Sequence, residues 1–299
     1  MPELPEVETI RAQLAPRLTG RTITAVAVTD PLLVAPADVD EFRSALIGRA
    51  VRRVRRRGKY LLLELDSGAV LALHLRMTGR VHWRAGPPSD GAERFLRAVF
   101  DFDDGSSVTF GDARRFGRAW MIPAGTGVQE YWRGRVGDEP LEDGFTARRL
   151  AELMRGRRVA IKTALLNQAL VAGLGNMYVD EALFAAHVHP LRPAGELSER
   201  EYRALQRGIR DRLRVAIAAG GASIDTYRDG LGERGQMQAQ LRVHLHEGDP
   251  CPRCGTIIAK RVVGQRGTYW CPACQPDPTG AAVPVGSRRP RRVREGVSG

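Results

Sequence analysis

Two cysteine pairs, Cys251-Pro252-Arg253-Cys254 and Cys271-Pro272-Ala273-Cys274, constrain this chain more than any other feature, and they hold all four of its cysteines. Two CxxC knuckles about sixteen residues apart match a tetrahedral four-thiolate zinc site. Four thiolates close such a site, so His244 and His246 are not expected as ligands. Disulfides are the weaker alternative in a reducing compartment. Between the knuckles, residues 256–263 and 268–270 read as a hairpin with Gly264-Gln265-Arg266-Gly267 as its turn. The metal would hold Arg266 rigidly at the tip. Structural zinc explains stiffness rather than function, so a bare zinc ribbon stays open.

The 299 residues upstream and around this unit suffice for two domains with proper cores. Short runs at 22–28, 59–65, 70–76, 96–102, 107–110 and 119–122, bounded by Gly, Asp and Ser, predict a β-sandwich or barrel. Residues 123–143, rich in Gly, Pro and acid, read as a linker. Beyond it the period becomes helical over 145–154, 161–169, 176–186 and 198–219, with Ser198 and Glu201 as a capping box. The expected class is α+β and multidomain. It comprises an N-terminal β-sandwich domain (1–125), a linker (126–143), a helical domain (144–240), a four-Cys zinc finger (241–276) and a disordered basic tail (277–299).

Net charge is +12, which points to a polyanionic partner, nucleic acid first. No apolar run approaches a membrane span and no signal peptide opens the chain, so a cytoplasmic protein is expected. Of 46 basic residues only Lys59, Lys162 and Lys260 are lysines, which marks them as positions where a compact, deprotonatable amine matters. The run from Arg49 to Lys59 carries seven positive charges and reads either as a solvated face or as a strand tracking phosphates. Amide groups of Gly173-Leu174-Gly175-Asn176, opening a helix, are candidates for holding a phosphate. The glycine-rich stretch from Gly220 to Gly235 reads as a mobile loop.

The chain opens Met1-Pro2-Glu3-Leu4-Pro5-Glu6-Val7-Glu8. Once Met1 is removed, Pro2 is a free secondary amine, able to condense with a sugar aldehyde carbon. Chain-terminal amines titrate near 7.7–8.0, so a fraction is neutral at physiological pH. Glu3 supplies a carboxyl group for proton transfer. Pro5 begins a predicted helix over 5–15 that Pro16 stops, which places Pro2 and Glu3 at its positive end.

These residues, with Arg57-Gly58-Lys59-Tyr60-Leu61, His74-Leu75-Arg76-Met77-Thr78-Gly79, Asp112-Ala113-Arg114-Arg115-Phe116-Gly117, Gly173-Leu174-Gly175-Asn176-Met177-Tyr178 and the Gln265-Arg266 hairpin, resemble bacterial formamidopyrimidine-DNA glycosylases, in that family's order over 1–276. The resemblance implies a monomeric base-excision repair enzyme acting on oxidised purines in double-stranded DNA. It also implies a β-sandwich with its N-terminal helix, a helix-two-turns-helix domain and a zinc finger. It implies Pro2 as nucleophile, Glu3 in proton transfer, Lys59 as proton donor for β-elimination and Arg266 for δ-elimination. Arginine is a poor acid, so Arg266 is expected chiefly to clamp phosphate. Met77, Arg114 and Phe116 would fill the void left by a flipped base, against the plain reading of Met77 as the end of a core strand face. Arg115, Arg158, Lys162 and Asn176 would contact the DNA backbone. Glu6, Ser223 and Tyr227 would line the lesion pocket. Phe95 stands where the family often has a DNA-contacting histidine, and Ala113 where it usually has proline. The alternatives are an endonuclease VIII-like glycosylase for oxidised pyrimidines and a non-catalytic zinc-ribbon DNA-binding protein.

Overall fold

The structure is a computed structural model, described over residues 1–87 and 95–277. The expected basic tail lies, beyond Asp277, outside the described residues. In chain order the first half comprises α1 (Leu4–Leu18), β1 (Ile23–Val28), α2 (Val39–Leu46), β2 (Val51–Arg57), β3 (Tyr60–Leu65), β4 (Val70–His74), β5 (Gly79–Arg84), β6 (Leu96–Phe102), β7 (Ser107–Asp112) and β8 (Arg118–Ile122). Two four-stranded antiparallel sheets, β1-β6-β7-β5 and β2-β3-β4-β8, form a sandwich. Leu61, Leu63, Leu71 and Leu73 of one sheet share a core with Phe100, Phe102, Val108 and Phe110 of the other, and Val7, Ile10, Leu14 and Leu18 of α1 close it. Each such side chain contributes about 1.5–3 kcal/mol on burial.

That burial overrides the expected stop at Pro16. The proline sits inside α1, which continues to Leu18 because Leu18 is fully buried in the core. A proline this late removes a single helical hydrogen bond. The arginine-rich run is a strand, β2, held by buried Val51 and Val54. Its last two arginines do not track phosphates. Arg56 pairs with Glu8 and Glu139, and Arg57 donates to the carbonyls of Val136 and Gly137.

β4 is buried along its whole length because both faces are covered. Leu71 and Leu73 face the sandwich, while Val70 and Ala72 join Leu62, Ile122, Trp132 and Val136 in a second cluster. The segment read as a linker therefore packs as a lid on this sheet. It carries a short helix, α3 (Val128–Tyr131), and Trp132 stacks on Tyr60 with ring centroids 4.7 Å apart.

The second half holds α4 (Ala147–Met154), α5 (Ile161–Leu166), α6 (Asn176–Ala186) and α7 (Glu199–Ala218), then the hairpin β9 (Ala259–Val263) and β10 (Arg266–Trp270). Ser198 and Glu201 form the expected capping box. The hairpin turn is shorter than expected: Gly264 and Gln265, both with positive φ, form a two-residue turn, and Arg266 begins β10 opposite Val263. α1 belongs to both halves. Leu4 lies in the helical core and its N–H donates to the Gly173 carbonyl at 3.0 Å, whereas the helix from Val7 onward packs in the sandwich. Pro2 and Glu3 are thus pinned at the junction.

The 220–235 segment is tied down rather than loose. Gln13 of α1 donates to Asp229 at 2.7 Å and accepts from the Gly230 N–H at 2.8 Å, and Tyr227 is buried in the sandwich core. Among the described residues no helix is long and apolar enough to cross a membrane.

Candidate active site

A cleft of about 520 Å³ lies at the junction, lined by residues from every part of the chain: Pro2, Glu3 and Glu6 of the opening, Lys59 before β3, Met77, Asn176 and Arg266. Glu3 reaches across to the start of α6, where its carboxylate accepts from the N–H groups of Gly175 at 2.7 Å and Met177 at 3.1 Å. The helix dipole favours that negative charge. A β-carbon on Gly175 would occupy the space of the Glu3 carboxyl group, so the close approach requires glycine. Of the amides expected to hold a phosphate, that of Gly175 is therefore taken by Glu3 and that of Gly173 by the Gln168 side chain.

Glu6 is buried and fully bonded. It accepts from the Tyr178 hydroxyl at 2.6 Å, the Ala222 N–H at 2.8 Å and the Glu3 N–H at 2.8 Å. Burial raises its pKa above the usual carboxylate range, and the Glu3 charge adds to the rise. Lys59 is 5% exposed, and burial depresses its ammonium below the usual lysine range against the opposing pull of Glu3 and Glu6. Such a lysine gives up a proton more readily than one in water.

At the rim, Met77 does not end a core strand face. β4 stops at His74, Arg76 takes a positive φ, and Met77 turns into the cleft. Phe116 is 48% exposed and the Arg114 guanidinium lies 4.8 Å from its ring centroid. Arg115 and Arg158 are exposed, Arg115 with its guanidinium paired to Asp30 at 2.7 and 2.9 Å. Tyr227 lines the cleft and donates to the Gly220 carbonyl at 3.2 Å.

Two expected contacts are corrected, and a third is partly engaged. Lys162 is fully buried, bonded to Asp180 at 2.6 Å and to the Gly267 carbonyl at 2.9 Å, so it offers no charge to DNA. Asn176 donates one side-chain N–H to the same Gly267 carbonyl at 2.9 Å, and its amide carries a second N–H that a phosphate oxygen can accept. Ser223 turns inward: its hydroxyl donates to the Tyr227 carbonyl and accepts from the Gly235 N–H, both at 3.0 Å, so it does not line the lesion pocket.

The four cysteine sulfurs lie within 4.8 Å of one another, with Cys254 at 3.5 Å from both Cys271 and Cys274. A zinc ion with bonds of about 2.3 Å sets tetrahedral sulfur–sulfur edges near 3.8 Å, which this cluster matches. Burial pushes the Cys271 thiol up to about 12, so a thiolate there needs a cation beside it.

Three family models cover most of the chain: the Formamidopyrimidine-DNA glycosylase N-terminal domain over 1–119, the Formamidopyrimidine-DNA glycosylase H2TH domain over 136–228, and a zinc finger found in FPG and IleRS over 248–276. The chain belongs to the formamidopyrimidine-DNA glycosylase family. Among the family's enzymes, that of Symbiobacterium thermophilum is 45% identical over all of this chain and 95% of its own, and that of a Roseiflexus species 46% over 92% and 100%. Solved structures of the Lactococcus lactis glycosylase, bound to DNA holding an abasic site or an N7-benzyl-Fapy-dG, superpose with a TM-score of 0.85 at 36% identity over 92% of this chain and 100% of theirs. Family members are DNA glycosylases with one structural zinc, and this chain carries the four cysteines for it.

Several supporting residues escape sequence reasoning. Tyr178, His74 and Glu181 are buried polar groups; Glu181 accepts from the N–H groups of Arg242, Val243 and His244 and so fixes the approach to the finger. The signal was an acidic pair, Asp180-Glu181, inside an otherwise apolar helix.

Two measurements follow for this family member. Lys162→Met leaves Asp180 with only its 2.8 Å bond to His244, and should cost about 3 kcal/mol or more of stability in urea unfolding. The salt slope of DNA binding should not change; a slope shallower by about one would restore Lys162 as a phosphate contact. His74, buried beside Lys59 and accepting from the Arg76 N–H, has its pKa lowered by burial to about 3. Its contribution to stability is therefore complete above pH ~6.5 and is lost as pH falls toward about 3, near 2 kcal/mol of it by pH 5. His74→Gln should remove that increment of acid sensitivity, and unfolding curves at pH 7 and pH 5 that matched those of the parent would refute it.

Proposed function

We propose that this chain is a cytoplasmic, monomeric base-excision repair enzyme that excises oxidised purines, 8-oxoguanine and formamidopyrimidines, from duplex DNA and then cleaves the abasic strand. The observation that carries the reading is the meeting of Pro2, Glu3, Lys59 and Arg266, from three distant segments, in one cleft. A base inside a duplex is out of reach, so the lesion is flipped into this cleft at a cost of a few kcal/mol. Met77, Arg114 and Phe116 at the rim supply an apolar wedge, a donor for the orphaned base and a stacking ring. Arg115 and Arg158 contact the backbone and position the duplex. Glu6 and Tyr227 line the pocket around the flipped base.

In the chemistry, the Pro2 nitrogen, free once Met1 is removed, bonds to C1′ and the base leaves with the electrons of the glycosidic bond and a proton. Glu3 handles the protons of ring opening at the same centre. The resulting iminium acidifies the C2′ proton; its removal expels the 3′ phosphate, with Lys59 as proton donor. A second elimination expels the 5′ phosphate while Arg266 holds the strand. Zinc bound by Cys251, Cys254, Cys271 and Cys274 is structural and fixes the hairpin that presents Arg266.

Single-turnover excision from duplexes holding 8-oxoguanine or thymine glycol tests the substrate. The purine lesion should be favoured by at least about tenfold. A preference for thymine glycol would replace this reading with the endonuclease VIII-like one.

A further inference from the structure

The turn that carries Lys59 is held from outside its own sheet. Glu139, in the segment that sequence alone reads as linker, is buried, and its carboxylate accepts from the Gly58 N–H and from Arg56 at 2.8 and 3.0 Å. Arg56 in turn donates to the Gly58 carbonyl at 3.1 Å and to Glu8 of α1 at 3.0 Å. Gly58 has a φ of +54°, and a β-carbon there would lie 3.4 Å from Ala172 and 3.5 Å from the Gly173 nitrogen. Both peptide groups flanking Gly58 are thus fixed by one buried ion cluster, one residue before the lysine.

The same segment reaches the opposite wall. The Asp138 N–H donates to the Leu170 carbonyl at 3.1 Å and the Ala172 N–H to the Asp138 carbonyl at 2.8 Å. That stretch continues directly into Gly173, which holds Leu4, and Gly175, which holds the Glu3 carboxylate. Glu139 therefore stands between the Lys59 turn and the loop segment that seats Glu3, with Arg56 joining both to α1 through Glu8.

We propose that Glu139 is a positioning residue for Lys59: it sets the distance between the lysine ammonium and the reacting sugar by clamping the Gly58 peptide groups against the wall that holds Glu3. Its own carboxylate is consumed by Gly58 and Arg56, so it acts through Lys59 and not on substrate. This rests on the role given to Lys59 above. Misplacement of a reacting group by about 1 Å costs on the order of a hundredfold in rate.

A double-mutant cycle on the full-length zinc-loaded protein tests this, read as single-turnover cleavage of abasic duplex. Glu139→Ala in the parent should slow cleavage by about a hundredfold. In a Lys59→Ala background the same change should slow it by less than about twofold, because the group it positions is gone. Glu139→Gln, which keeps an acceptor for the Gly58 N–H, should recover part of the loss in the parent. It also carries the cycle if Glu139→Ala fails to fold. Equal losses from the Glu139 change in both backgrounds would assign it a general structural role and overturn the proposal. Lys59→Ala cleaving at the parent rate would instead overturn the role of Lys59 itself, and the proposal with it.

Discussion

Protein with any residue retained ahead of Pro2 should form no covalent adduct with abasic DNA under borohydride, and its strand cleavage should fall by at least about 10³-fold; removal of a covalent nucleophile has cost up to about 10⁶-fold in a well-studied protease. The reason lies in the nitrogen. As an amide in the Met1–Pro2 peptide bond it has no available lone pair, and as a chain-terminal secondary amine it does. Pro2 is buried at the head of α1, with Leu4 and Glu3 bonded across the junction, so no neighbouring amine can swing into its place without breaking those bonds. Intact mass of the active protein should show Met1 removed. Retention of Met1 in fully active protein would contradict the assignment.

Cys254→Ser should release the zinc and, with it, the grip on DNA. The finger is small: its core is Phe184, Val243, Ile258 and Tyr269 with Cys251 and Cys271, too little apolar surface to hold the hairpin unaided. In isolated zinc-finger peptides the metal contributes about 10–16 kcal/mol of apparent binding energy, and that energy is folding energy. Losing the site lets β9 and β10 detach, which removes Arg266 from the cleft and the Gly267 carbonyl from Lys162 and Asn176. Binding to a duplex with an abasic-site analogue should weaken by about 10–100-fold, the 1–3 kcal/mol expected of one well-placed arginine. Zinc content by elemental analysis and binding by fluorescence anisotropy check this together. Undiminished affinity in zinc-free protein would show that the hairpin does not clamp the strand.

What the sequence made legible was what depends on local spacing. The Cys251–Cys254 and Cys271–Cys274 knuckles, the α6 helix after its glycines, and the Ser198 capping box all follow from residues within a turn or two of one another. What escaped depends on partners far along the chain. Lys162 is a buried strut only because Asp180 lies 18 residues on and Gly267 lies 105 on. Ser223 faces inward because Gly235 and Tyr227 close around it. β2 was ambiguous because its apolar content is Val51 and Val54 alone, and the burial of Arg56 needed Glu139, 83 residues away. A buried charge looks in sequence like a solvated one; only its partner distinguishes them.

Peptide mapping of the borohydride-reduced adduct with lesion duplex, by mass spectrometry, tests the central claim most directly. The sugar remnant should lie on the nitrogen of Pro2 at the start of the chain, with Met1 absent. A remnant on Lys59 or any other internal lysine, or the absence of an adduct from protein that still cleaves the strand, would contradict it.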